Sequence, residues 1–217
     1  MIRADLHVHT IYSGDCNTSL EQTIARCLDV GINCIAVTDH NTITGAVEMK
    51  RIAPFPVIVG NEIETSTGEI IGYFLEEEIP RGLPAAETAR MIKKQGGLVC
   101  VPHPFDRLRR STIHRQTLEE LLPFIDIIEV LNSRLLLNRY AIMAERFAQA
   151  HQLLVSAGSD AHMPGHIGTA YVEMPQFSDK DQFLTSLAEG KVKGRRSNPW
   201  AHMGSTWAKL GKALKDR

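Results

Sequence analysis

The chain carries few of the features that commit a sequence to a membrane, a disulfide scaffold or a polyanion. Only four cysteines occur in 217 residues, and Cys16, Cys27, Cys34 and Cys100 form no C-x-x-C pair and no regular framework. That spacing argues for reduced, mostly buried thiols in a cytoplasm, and Cys16, beside Asp15 in a polar stretch, reads as a bystander. No apolar run reaches the roughly 18 residues of a membrane span, and no basic segment followed by an apolar one opens the chain. A soluble cytoplasmic protein without a signal peptide is therefore expected. Lysine and arginine number 24 against 25 aspartate and glutamate, a formal net charge of −1. So even a balance gives no global field for nucleic acid or an anionic membrane. Neither an internal repeat nor a low-complexity linker divides the chain, which is most simply one domain, 1–217.

What is present is an alternation of strand and helix patterns from end to end. Apolar strand candidates fall at 2–8, 34–38, 56–60, 70–75, 98–102, 125–131, 153–157 and 170–174. Helical periodicity fills 20–30, 44–52, 84–95, 118–122, 138–151 and 179–189. Thr18 with Glu21, and Thr117 with Glu120, have capping-box spacing, and Gly31 and Gly96 suit helix ends. Continuous apolar runs such as Cys34-Ile35-Ala36-Val37 suit a parallel sheet covered on both faces. Eight strands with six helices predict an irregular β/α barrel. From Lys191 to Arg217 the composition turns basic, and Trp207, Leu210 and Leu214 share helical spacing. This predicts a basic helical tail, 191–217, packed on the domain.

Chemistry in β/α folds sits at the carboxyl ends of strands. Those ends read Asp5-Leu6-His7-Val8-His9, Thr38-Asp39-His40, Gly60-Asn61-Glu62, Pro102-His103-Pro104, Glu129-Val130-Leu131-Asn132-Ser133-Arg134 and Gly158-Ser159-Asp160-Ala161-His162. Five of the nine histidines gather there. An i, i+2 pair on an extended segment points one way, so His7 and His9 share one space, with Asp5 on the same face to orient a ring. Several polar side chains buried together need common partners, and a multi-metal centre satisfies them at once.

These motifs, in this order, resemble the polymerase and histidinol phosphatase (PHP) superfamily of metal-dependent phosphoesterases. The resemblance runs from residue 5 to 162. It implies a distorted (β/α)7 barrel with two or three divalent ions (zinc, manganese or iron) at its mouth. It further implies that His7, His9, Glu62 and Asp160 hold a first ion and that Glu62 bridges to a second, bound also by His103. Asp15, His40 and His162 would hold a third. Glu69 stands where many relatives place a histidine ligand; it could ligate through oxygen, leave the second site weaker, or face solvent.

The expected reaction is hydrolysis of a small phosphomonoester, histidinol phosphate-like or a nucleotide, by a metal-activated hydroxide. Asp160, His162, Arg107 and Arg134 are the expected catalytic residues. The two arginines just beyond strand ends would match phosphate oxygens, whereas Arg109 and Arg110 read as exposed charges. Rival readings are a nucleotidase or exonuclease on short nucleic acid, an amidohydrolase-type C–N hydrolase, and a non-catalytic metal-stabilised module. A small phosphorylated substrate is the expected partner. Nucleic acid is not favoured, and the sequence does not disclose the oligomeric state.

Overall fold

The computed structural model describes residues 1–195. The expected tail helix around Trp207, Leu210 and Leu214 lies outside the described residues. Nine strands and six α-helices are formed: β1 (Ile2–Val8), α1 (Leu20–Val30), β2 (Cys34–Val37), α2 (Thr44–Ile52), β3 (Val57–Thr65), β4 (Gly68–Tyr73), α3 (Ala85–Lys94), β5 (Leu98–Val101), α4 (Arg115–Glu120), β6 (Ile127–Asn132), α5 (Asn138–His151), β7 (Leu154–Gly158), β8 (Ala170–Met174), α6 (Lys180–Ala188) and β9 (Lys191–Gly194). They make one sheet in the order β7-β6-β5-β4-β3-β2-β1-β8-β9.

Alternation along the strands sorts the apolar residues into two clusters. Ile35, Val37, Val57 and Val59 pack on Cys27, Met49, Ile92, Leu118 and Ala144 of the surrounding helices. Ala4, Leu6, Cys34, Ala36, Ile58, Ile71, Tyr73, Cys100 and Ala157 face one another, joined by Phe183 and Leu187 of α6. The second cluster is the inside of a nearly closed barrel, whose width small residues such as Ala4, Ala36 and Ala157 suit. Buried Tyr73 donates its hydroxyl to the Leu6 carbonyl across it at 2.8 Å.

The barrel closes where the chemistry was expected. Asp160 N–H donates to the His7 carbonyl at 2.8 Å and His9 N–H to the Ala161 carbonyl at 3.1 Å, joining the end of β7 to the end of β1. Glycine at 158 makes this approach possible, since a Cβ there would lie 2.7 Å from His7 N and overlap the His7 side chain.

Three expectations are corrected. The sheet is not wholly parallel: β4 runs antiparallel to both β3 and β5. Only Ser66 and Thr67 separate β3 from β4, a hairpin link with no room for a crossover helix. Regular β/α alternation is thus interrupted at this hairpin, in keeping with the distorted barrel expected. Second, Lys191–Gly194 is not helical but the strand β9, paired antiparallel with β8. Third, the first capping box forms one residue later than read, between Ser19 and Gln22. The helix expected at 118–122 begins at Arg115, and its N-cap His114 makes no side-chain bond. Gly31, at φ 74°, and Gly96, at φ 75°, close their helices in the left-handed region as anticipated.

Candidate metal centre

Strand ends and the loops after them build the cluster. A register shift at the end of β1, between Asp5 and Val8, re-aims its last side chains, as bulges do. His7 Nε2 and His9 Nε2 then come within 3.1 Å of each other. Glu62 Oε2, on β3, lies 3.3 Å from both nitrogens, and Asp160 Oδ1 lies 3.9 Å from the first and 3.4 Å from the second. His103 and Asp160 both have backbones in the left-handed region, at φ 33° and 51°. That strain, uncommon for non-glycine residues, is held by the packed strand ends around them.

Glu62 faces two ways. Its Oε1 lies 3.2 Å from His103 Nε2, and its Oε2 lies 3.3 Å from His40 Nδ1. Glu69 is buried and reaches the same region, 3.7 Å from His40 Nδ1 and 3.8 Å from His103 Nε2. Of the alternatives left open for it, facing solvent is the one the structure excludes. Asp15 Oδ2 lies 3.1 Å from His162 Nε2 and 3.6 Å from His40 Nε2. Three sets of ligand atoms therefore lie close enough to hold an ion: His7, His9 and Glu62; His40, Glu62 and Glu69; and His9, His40 and His162.

The outer faces of the rings are held as well. His7 Nδ1–H donates to Glu129 Oε1 at 3.0 Å, which fixes the tautomer and turns the Nε2 lone pair inward. Glu129 Oε2 also accepts the His103 backbone N–H at 2.8 Å and the Asn132 side-chain amide at 3.0 Å. Ser13 Oγ lies 3.1 Å from His9 Nδ1 and accepts the His40 backbone N–H at 3.1 Å. Asp5 does not orient a ring. Its oxygens accept the backbone N–H groups of Ser159, at 2.8 Å, and Gly168, at 2.9 Å. It pins the loop that carries Asp160, and burial, only partly offset by these bonds, pushes its pKa up to about 6.

The electrostatics describe a cavity short of positive charge. Asp15, Glu62, Glu69, Glu129 and Asp160 are all buried, against two guanidiniums, Arg109 and Arg134. The carboxylates act on the neighbouring rings against the effect of burial. Burial disfavours the His7 imidazolium, yet Glu62, Glu129 and Asp160 hold its pKa well above the ordinary value. Burial likewise opposes charge on His9, but Asp160 and Glu62 raise it. Burial would raise Glu62, but His7 and His40 pull it well below the carboxylate range. His162 moves the other way, down to about 4, through burial and the neighbouring His9. A mixed imidazole and carboxylate donor set without thiolate, short of positive charge, suits zinc, manganese or iron. These residues fit divalent ions.

Of the two expected arginines, only Arg134 enters the cluster. Its Nη1 lies 3.3 Å from Asp160 Oδ1 and 2.8 Å from His162 Nδ1. Arg107 is exposed. Its place is taken by Arg109, read from sequence as a surface charge, which donates to Asp160 Oδ2 at 2.5 Å, to Asn132 Oδ1 at 3.2 Å and to buried Asp106 at 3.2 Å. Sequence reasoning also passed over Glu129. The signal was there, in a carboxylate embedded in the apolar run Ile127-Ile128-Glu129-Val130, since a buried carboxylate needs partners. Cys16 is buried, donating weakly to the His9 and His162 carbonyls.

Comparisons with known proteins bear on the fold and family of the chain. The PHP-associated family matches residues 141–192. The uncharacterized protein MJ0417 of Methanocaldococcus jannaschii is 32% identical over 233 residues, covering 98% of this chain and 94% of that protein. Among solved structures, a two-domain protein from Bacteroides vulgatus containing a predicted PHP-like metal-dependent phosphoesterase superposes with a TM-score of 0.73 at 18% identity. The match covers 89% of this chain and 65% of that one. The lesion-specific endonuclease PfuEndoQ from Pyrococcus furiosus superposes with a TM-score of 0.62 at 15% identity, over 88% of this chain and 57% of that one. With its strand-end motifs, its barrel-like sheet and these relatives, the chain belongs to the PHP superfamily.

Proposed function

We propose that the protein hydrolyses a small phosphomonoester with the help of two or three divalent ions held in this cluster. The observation that carries the reading is the meeting of His7 Nε2, His9 Nε2, Glu62 Oε2 and Asp160 Oδ1 at one point, with Arg109 and Arg134 on its edge. His7, His9, Glu62 and Asp160 would hold one ion. Glu62, His103 and Glu69 would hold a second, and Asp15, His40 and His162 a third. Bound ions of this kind supply Lewis acidity and a nucleophile at neutral pH. The chain itself supplies placement and charge. Glu129 and Ser13 fix the rings, and Asp5 fixes the loop of Asp160. Arg109 and Arg134 stand beside the cluster with guanidinium groups that match phosphate oxygens and offset negative charge building on them. No described helix is long and apolar enough to cross a membrane.

The test is metal content together with a panel of phosphomonoesters, nucleotides, short oligonucleotides and neutral amides. Phosphate release from small monoesters, lost on chelation and restored by zinc, manganese or iron, is the expected result. Preference for oligonucleotides or amides would replace this reading. Full activity in the chelated protein would end it.

A further inference from the structure

Beside the metal cluster lies a cavity of about 400 Å³ lined by Gly14, Asp15, His40, Asn41, Glu64, Glu69 and Arg81. Three of these, Asp15, His40 and Glu69, are candidate ligands already described, so the cavity opens directly onto the centre. Arg81 is the one cation in its lining apart from histidine. Its guanidinium makes no hydrogen bond or ion pair with any described residue, although Glu64 and Glu69 line the same cavity.

The backbone carrying Arg81 is nonetheless fixed. Ile79, two residues before it, is buried at 2% exposure. Gly82 N–H, one residue after it, donates to the Glu64 carbonyl at 2.7 Å, and Ser66 N–H donates to the Leu83 carbonyl at 2.9 Å. These bonds lash the Pro80-Arg81-Gly82 turn alongside the end of β3, the strand that presents Glu62. Gly82 itself stands at φ 80°, a left-handed conformation that glycine takes without strain. The result is an exposed arginine, uncommitted to any described partner, on a pinned turn that lines the cavity.

Position separates it from the other two arginines. Arg109 and Arg134, from the loops after β5 and β6, both engage Asp160. Arg81 stands with His40 and Glu69, on the β2–β3–β4 side of the centre. A substrate whose scissile phosphate rests on the cluster, and which extends into this cavity, meets Arg81 with its far end. A guanidinium in that position pairs with an oxyanion through two N–H groups and contributes little to a neutral group.

We propose, building on the phosphomonoesterase reading, that Arg81 binds a second oxyanion on the substrate, so that the preferred ester bears a phosphate or carboxylate beyond the scissile group. The test uses the metal-loaded protein with glycerol 1-phosphate, 3-phosphoglycerate and glycerol 1,3-bisphosphate, which differ in the second group. Phosphate release gives kcat/KM for each, and calorimetry on the chelated protein, in which turnover is stopped, gives the affinity for each. In the parent protein, one or both doubly anionic esters are preferred over glycerol 1-phosphate. Which of them leads tells carboxylate from phosphate. Arg81→Ala and Arg81→Gln lower that preference at least about tenfold, the scale of one charge-assisted contact, through KM rather than kcat. Arg81→Lys restores part of it. No preference in the parent, or a preference that Arg81→Ala leaves standing in both turnover and calorimetric affinity, overturns the assignment. If none of the three esters is hydrolysed, the phosphomonoesterase reading fails on its own account. The calorimetric ranking then still decides whether Arg81 binds a second oxyanion.

Discussion

Glu129→Gln is a nearly isosteric change whose consequences can be worked through atom by atom. The carboxylate accepts three N–H groups, from His7 Nδ1 at 3.0 Å, the His103 backbone at 2.8 Å and the Asn132 amide at 3.0 Å. A carboxamide keeps a single acceptor oxygen. Turned toward His7, it sets its NH2 against the His103 N–H; turned the other way, it sets its NH2 against the ring. Asn132 cannot flip to compensate, because its Oδ1 already accepts from Arg109 Nη2 and from Arg134 N. At least one hydrogen bond to a charged acceptor is lost and a buried donor is left facing another, a loss of about 2–4 kcal/mol in stability. Replacing the carboxylate behind a metal-binding histidine weakens metal affinity roughly 10- to 100-fold, or about 1.4–2.7 kcal/mol. Urea unfolding in chelator reads the first quantity, and zinc competition against a chromophoric chelator reads the second. A folded Glu129→Gln protein with parental zinc affinity, within about twofold, would refute the claim that Glu129 sets the His7 ring.

Three further outcomes are expected. Zinc affinity rises with pH through and above the ordinary imidazole range, because His7 and His9 are both shifted upward and a metal must displace their protons; a flat profile in the competition assay would contradict this. Asp5, at about 6 in the folded chain and about 3.9 unfolded, holds a proton when folded that it releases on unfolding between those values. Its burial therefore costs nothing below about pH 4 and about 3 kcal/mol above pH 6. The penalty of Asp5→Asn in chelator should thus shrink by about 2 kcal/mol from about pH 4.5 to about pH 7, and a constant difference in urea unfolding would count against it. Gly158→Ala places a Cβ against the His7 backbone; it is expected to part β1 from β7, lower the melting temperature and abolish high-affinity zinc binding. A normal thermal transition would show that the strands close by other means.

Much of the centre was legible because its residues obey periodicities. The i, i+2 spacing of His7 and His9 and the polar ends of apolar strands at Glu62, His103 and Asp160 need only an extended chain to place them. What escaped lacks a period. The stretch after His103 is irregular, so nothing in Arg107-Leu108-Arg109 says which arginine turns inward; the Asp106 carboxylate, which takes Arg109 Nε, decides it. Strand direction also leaves no mark in hydropathy, and β4 passed as a parallel strand because the extension of β3 through Ile63 and Thr65 toward a two-residue turn went unread. Lys191-Val192-Lys193-Gly194 looked like the start of a charged tail, yet lysines flanking a half-buried valine are what an edge strand carries against further pairing.

The hydrogen bond from Ser159 N–H to Asp5 spans 154 positions, and this separation sets an order of events in synthesis. His7 and His9 leave the ribosome before Glu62, and Asp160 and His162 come only after β7. A nascent chain lacking β7 has imidazoles to offer but neither the second carboxylate nor the closed wall that aligns the rings. The cluster is therefore complete only once β7 and the loop after it have been made. Before that, the histidines are present but not yet arranged.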